Sequence, residues 1–96
     1  MIIARVVGSA VSTVKEGKLV GRKLLVVQKA TPENKLYGEP FIAVDTVGAG
    51  EGELVFVAEG SSARLTESTL DAAVDATIVG ILDSLELNNQ TTFRKE

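Results

Sequence analysis

Three sets of residues in this 96-residue chain have types and spacings that could do chemistry. Gly48-Ala49-Gly50-Glu51-Gly52 has the glycine density of a loop whose backbone amides cradle a phosphate. Its spacing misses the dinucleotide fingerprint, it runs into an apolar strand rather than a helix, and Glu51 and Glu53 repel an anion. A tight turn that needs positive φ, or backbone packed closely against a neighbour, is the better reading. Ser61 and Ser62, in Gly60-Ser61-Ser62-Ala63-Arg64, are candidate nucleophiles. The chain contains no His to act as their base, and neither serine heads a Ser-x-x-Lys pattern. Capping of a short helical turn by one of them is the simpler role.

The third set is Asp45, Asp75 and Asp83, each bordering an apolar run. Two of them would suffice as an acid and base pair, as in a glycosidase, yet nothing defines a substrate cleft between them. Turn-forming aspartates, or partners for Arg5 or Arg64, fit better. Without Cys or His there is no zinc site, thiolate cluster or disulfide framework, and no Asp-x-Asp-x-Asp spacing suggests an all-oxygen metal site. The expectation is a protein with no catalytic residue, no cofactor and no metal.

Composition narrows the partners. Ten Lys+Arg against thirteen Asp+Glu give a net charge of −3, the wrong sign for a nucleic-acid binder. Aromatics are 4% of residues (Tyr37, Phe41, Phe56, Phe93), too few for a base-stacking platform. The start, Met1-Ile2-Ile3-Ala4-Arg5, lacks the basic region of a signal peptide. No uncharged apolar stretch approaches the roughly 20 residues of a bilayer span. The reading is a cytoplasmic protein without nucleic-acid or membrane partners.

What positions these residues is a set of short strands. Ile2 to Val14 reads as a long strand bent near Gly8; Leu24–Val27, Phe41–Asp45, Leu54–Ala58 and Ala76–Leu82 read as four more. Thr31-Pro32-Glu33-Asn34-Lys35 is a turn, Gly60–Leu65 a cap with one helical turn, and Leu85-Glu86-Leu87, Asn88-Asn89, Thr91-Thr92-Phe93 a closing hairpin. Residues 1–96 thus form one domain, with 88–96 supplying a last strand. The fold class is all-β: a small closed barrel of five to six strands, similar to the oligonucleotide-binding fold, with one short helix.

A strand with one wet face should alternate apolar and polar residues. Here several strands are apolar on both parities, and a barrel this small lines its interior with only one. Each Val or Ile left wet forgoes roughly 1.5–3 kcal/mol. Neighbouring copies of the chain are therefore expected to cover part of the barrel wall, making it a homo-oligomer.

Four blocks resemble the bacterial microcompartment vertex proteins, the EutN/CcmL family. They are Ile3-Ala4-Arg5-Val6-Val7-Gly8, Lys23-Leu24-Leu25-Val26-Val27-Gln28, Val44 to Glu53 followed by Gly60 to Arg64, and Val74 to Asp83. They fall in the family's order and spacing over about residues 2 to 87. The resemblance implies a non-catalytic structural shell protein. Such proteins form pentameric rings that cap the vertices of polyhedral bacterial microcompartments, beside hexagonal shell proteins. The shells enclose enzymes of ethanolamine, propanediol or related catabolism, or of carbon fixation in carboxysomes. Ser62, where carboxysome members often carry Ala, leans the reading toward a catabolic compartment. By the same resemblance, Asp45, Gly48, Gly50, Gly52, Gly60, Ser61, Ser62, Arg64, Asp75 and Asp83 are structural or subunit-interface positions. The competing function is a small β-barrel binding module for a nucleotide or oligonucleotide.

Overall fold

The computed structural model describes residues 1–11, 22–60 and 75–95. Seven strands run through them: β1 (Ile2–Ala10), β2 (Lys23–Lys29), β3 (Phe41–Asp45), β4 (Leu54–Glu59), β5 (Ala76–Ile81), β6 (Ser84–Leu87) and β7 (Gln90–Arg94). The first five close a barrel in the order β1-β2-β3-β5-β4, and β6 and β7 form a separate two-stranded sheet. All ladders are antiparallel except β3–β5, a short parallel seam of Val44 with Thr77 and Asp45 with Ile78. The barrel thus has five strands, not six. The helical turn expected at Gly60–Leu65 and the part of the first strand beyond residue 11 lie outside the described residues.

Inward-facing positions explain the strands. Val6, Leu25, Val27, Val55, Val57 and Ile78 fill the interior with essentially no exposure, and Ala4, Ala43, Ala49 and Ala76 occupy the narrower places between them. β-branched residues suit the pleated wall, and alternating bulk lets side chains interdigitate in a small barrel. These inward-facing residues pack together as one apolar core.

Local rules are visible where the chain bends. The β1–β2 register shifts between Val6 and Gly8, so Val7 is the extra residue of a bulge at the expected kink. Asn88 and Asn89 both adopt positive φ between Leu87 and Gln90, as a two-residue hairpin turn requires. Asn34 does the same in the 31–35 turn, where its amide donates to the Thr31 carbonyl at 2.8 Å.

The hairpin changes the account of the barrel's outer wall. Ala30, Leu54 and Leu82 form a second buried apolar cluster, against which Ile3, Leu85 of β6 and Phe93 of β7 pack. Part of the apolar outer parity assigned to neighbouring copies is therefore buried by the chain's own hairpin. Periodicity shows that a face needs cover; it does not show which segment provides it.

Candidate subunit-interface site

The glycine-rich loop joins β3 to β4, and its shape follows from two carboxylates and two glycines. Asp45, at the end of β3, is largely buried; one carboxylate oxygen accepts the Val47 amide at 3.0 Å and the other the Ala49 amide at 2.9 Å. The first of these bonds is an Asx turn, the second extends it, and together they fold the chain back so that Ala49 enters the barrel core. Gly48, at φ +78°, and Gly52, at φ +87°, occupy left-handed geometry that an L-residue with a Cβ adopts only at a cost. Lys23, across the ladder from Asp45, donates its ammonium to the Ala49 carbonyl at 2.7 Å.

The second half of the loop is closed the same way. One Glu53 oxygen accepts the Gly50 amide at 2.7 Å, and the other pairs with the Lys95 ammonium at 2.7 Å. The Lys95 hydrogen bond, then that of the Gly50 amide, hold Glu53 below the usual carboxylate range; the bond to Glu53 correspondingly raises Lys95. The Gly52 amide donates to the Val6 carbonyl at 2.8 Å. Four loop amides that a phosphate would need, those of Val47, Ala49, Gly50 and Gly52, are therefore already taken by the protein's own oxygens. The loop is a finished turn and not an anion cradle.

Arg5 has a larger part than its place in an apolar strand suggests. Its guanidinium donates to the Gly52 carbonyl at 2.7 Å and to Asn34 Oδ1 at 2.5 Å, and lies 5.8 Å from the Phe93 ring centroid. One cation thus ties the glycine loop, the 31–35 turn and the hairpin together. Among the described residues, Arg5 thus meets a carbonyl, an amide oxygen and a ring, where the sequence suggested an aspartate. A charged residue inside an apolar run was the signal; its partners, 29 and 47 residues away, are not readable from spacing.

Of the remaining positions, Gly60, Asp75 and Asp83 are among the described residues. The Gly60 amide donates to the Asp75 carbonyl at 2.8 Å, joining the exit of β4 to the entry of β5. Asp83 sits at the base of the hairpin, its carbonyl accepting the Lys95 amide at 2.7 Å. Ser61, Ser62 and Arg64 lie outside the described residues. Among the described residues no three His, Cys, Asp or Glu side chains converge as a metal site requires, and no helix is long and apolar enough to cross a membrane.

Among the described strand residues, apolar side chains stay exposed on the barrel wall after the hairpin has covered its share. Val7, Val26 and Ile42 lie on adjoining strands, with Gly8 opposite Val26 and Val26 opposite Ile42. Ile42 is 47% and Val7 41% exposed, values high enough to leave both side chains wet in a lone chain. On the β4–β5 ladder, Phe56 is 37% exposed beside Gly80. Around the closed wall, Ile42 and Phe56 stand on β3 and β4, with β5 between them.

Comparison with known proteins agrees with this architecture. The sequence model of a family described as "Ethanolamine utilisation protein EutN/carboxysome" matches residues 1–83. The chain is 46% identical over 89 residues to the bacterial microcompartment shell vertex protein PduN of Salmonella typhimurium, covering 88% of this chain and 98% of that protein. Among solved structures, Gloeobacter violaceus CcmL superposes with a TM-score of 0.91 at 36% identity, covering 99% of this chain and 98% of its own. The GrpN pentameric microcompartment shell protein of Rhodospirillum rubrum gives 0.82 at 46% identity, over 91% and 99% of the two chains. With the five-stranded barrel, the self-closed glycine loop and this coverage together, the chain belongs to the EutN/CcmL family of microcompartment and carboxysome proteins.

Proposed function

We propose that this protein is a non-catalytic structural component that assembles as a pentameric ring and caps a vertex of a bacterial microcompartment shell. The observation carrying this reading is its similarity over nearly their full lengths to shell vertex proteins, one of them described as pentameric. The physical features fit: a barrel packed around an apolar core, a glycine loop whose amides are occupied by Asp45 and Glu53, and apolar side chains left wet in a single chain.

A closed ring needs a heterologous contact, in which one face of a copy meets a different face of the next. The β2–β3 area around Ile42 and the β4–β5 area around Phe56 supply two such faces. The glycine loop and the Gly60–Arg64 motif are proposed to contact adjacent subunits as well. Hexagonal shell proteins are the partners at the ring's rim.

Native mass spectrometry at micromolar concentration tests the ring directly: five-chain particles are expected, and a stable monomer would remove the proposal. Arg64→Ala tests the second segment. An unchanged mass and an unchanged assembly concentration would take Arg64 out of the contact. Co-expression with hexagonal shell proteins, imaged for closed against open particles, tests the vertex role.

A further inference from the structure

The β6–β7 hairpin and the glycine loop meet through a pair of two-headed side chains. Glu53 stands immediately before β4, its carbonyl accepting the Val6 amide at 2.9 Å and its amide donating to the Gly50 carbonyl at 3.2 Å. With the backbone so pinned, only the carboxylate can change partners. One oxygen holds the Gly50 amide and the other holds Lys95, whose own amide is fixed to Asp83 at the foot of the hairpin. Arg5 makes the parallel link, gripping the Gly52 carbonyl while its guanidinium lies over Phe93 of the hairpin.

We infer that these two relays make the hairpin and the glycine turn one mechanical unit, so that the seating of β6–β7 on the barrel sets the conformation of the loop at Gly50 and Gly52. Among the described residues, few other contacts tie the hairpin to the barrel. Its strands pair with each other and not with the barrel; besides the Leu85 and Phe93 contacts, it has a hydrogen bond from Thr92 Oγ1 to the Pro32 carbonyl. Groups packed around Glu53 favour the linkage: Lys95 contacts it from the tail, and Lys23 adds attraction from β2. Asp83 adds attraction for the Lys95 ammonium, while exposed Glu51 lies on the same turn. If the tail lets go, Glu53 loses the partner that orients it, and the Gly50 amide loses its acceptor.

Amide hydrogen exchange on the full chain tests the inference, with Lys95→Met compared with wild type and with Lys35→Met, an exposed lysine on the 31–35 turn, as control. Exchange in Lys95→Met is expected to accelerate by about threefold, a scale set by a partly exposed ion pair, at Thr92–Arg94 and at Gly50 together. The control should leave both unchanged. Faster exchange in the hairpin with Gly50 unmoved, or no change at either place, would overturn the coupling. The exchange rates are read whether or not the copies form a ring, so failure of one proposal is distinguishable from failure of the other.

Discussion

Phe56 lies across the β4–β5 ladder from Gly80, where an added Cβ would sit 3.6 Å from the Phe56 Cδ2. That distance is ordinary van der Waals contact, so the Phe56 ring packs beside Gly80 while the side chain stays 37% exposed. Phe56 marks one wet apolar face of the barrel; Ile42, on β3, marks another.

Placing a charge on either face should break the ring, because an unpaired carboxylate buried at an apolar contact is costly. Ile42→Glu and Phe56→Glu are each expected to weaken assembly by on the order of tenfold or more. Mixed together, the two variants should form a two-chain particle, since each contributes the intact face that the other lacks. Native mass spectrometry reads the outcome. Rings of unchanged mass from both variants would show that the contact lies elsewhere.

Asp45 should be the most sensitive position in the glycine loop. Asp45→Asn offers one carbonyl oxygen where two amides now find acceptors, leaving a buried donor without a partner. The expected loss is about 1–3 kcal/mol, seen as a lower urea midpoint. A midpoint unchanged from wild type would mean that the loop closes without this carboxylate.

The glycines of the loop should separate by backbone geometry. Gly48→Ala forces a Cβ into left-handed space and should cost roughly 1–2 kcal/mol. Gly50 has an ordinary φ, and a Cβ there would meet Glu53 Oε1 at 3.7 Å, so Gly50→Ala should stay within about 0.5 kcal/mol of wild type. Equal losses at the two sites would point to contacts with another copy rather than to φ.

The Glu53–Lys95 pair gives hairpin seating a defined pH window. Glu53 is lowered from 4.5, so its contribution is complete above that value and fades as pH falls through the lower folded value. Lys95 is raised from 10.5, so its contribution is complete below 10.5 and fades as pH climbs through the higher folded value. Phe93 ring shifts in NMR spectra should therefore be flat between these limits and move outside them. Salt should loosen the pair throughout that range, because both groups are partly exposed.

Much of the barrel was legible because local rules decide it. Phe41–Asp45 forms a strand with the bounds its composition suggests, Gly8 marks the bulge, and Asn88-Asn89 makes the hairpin turn. Asp45 is the turn-former that its position at a strand end suggests. The burial of Leu54 and Leu82 was not legible as an internal event, since an apolar outer face calls equally for a neighbouring copy or a folded-back hairpin. Nor was the role of Arg5, whose partners converge only once the barrel has closed. The motif serines and Arg64 owe their place here to family resemblance alone.

The parallel seam between β3 and β5 has a further consequence. It consists of two paired residues, reinforced where the Thr46 hydroxyl donates to the Ile78 carbonyl at 2.7 Å, bridging 32 positions of sequence. It is the shortest ladder of the barrel, so this zip should part first when the native state breathes. The toughness of the cylinder under heat or tension is then governed by its shortest stitch.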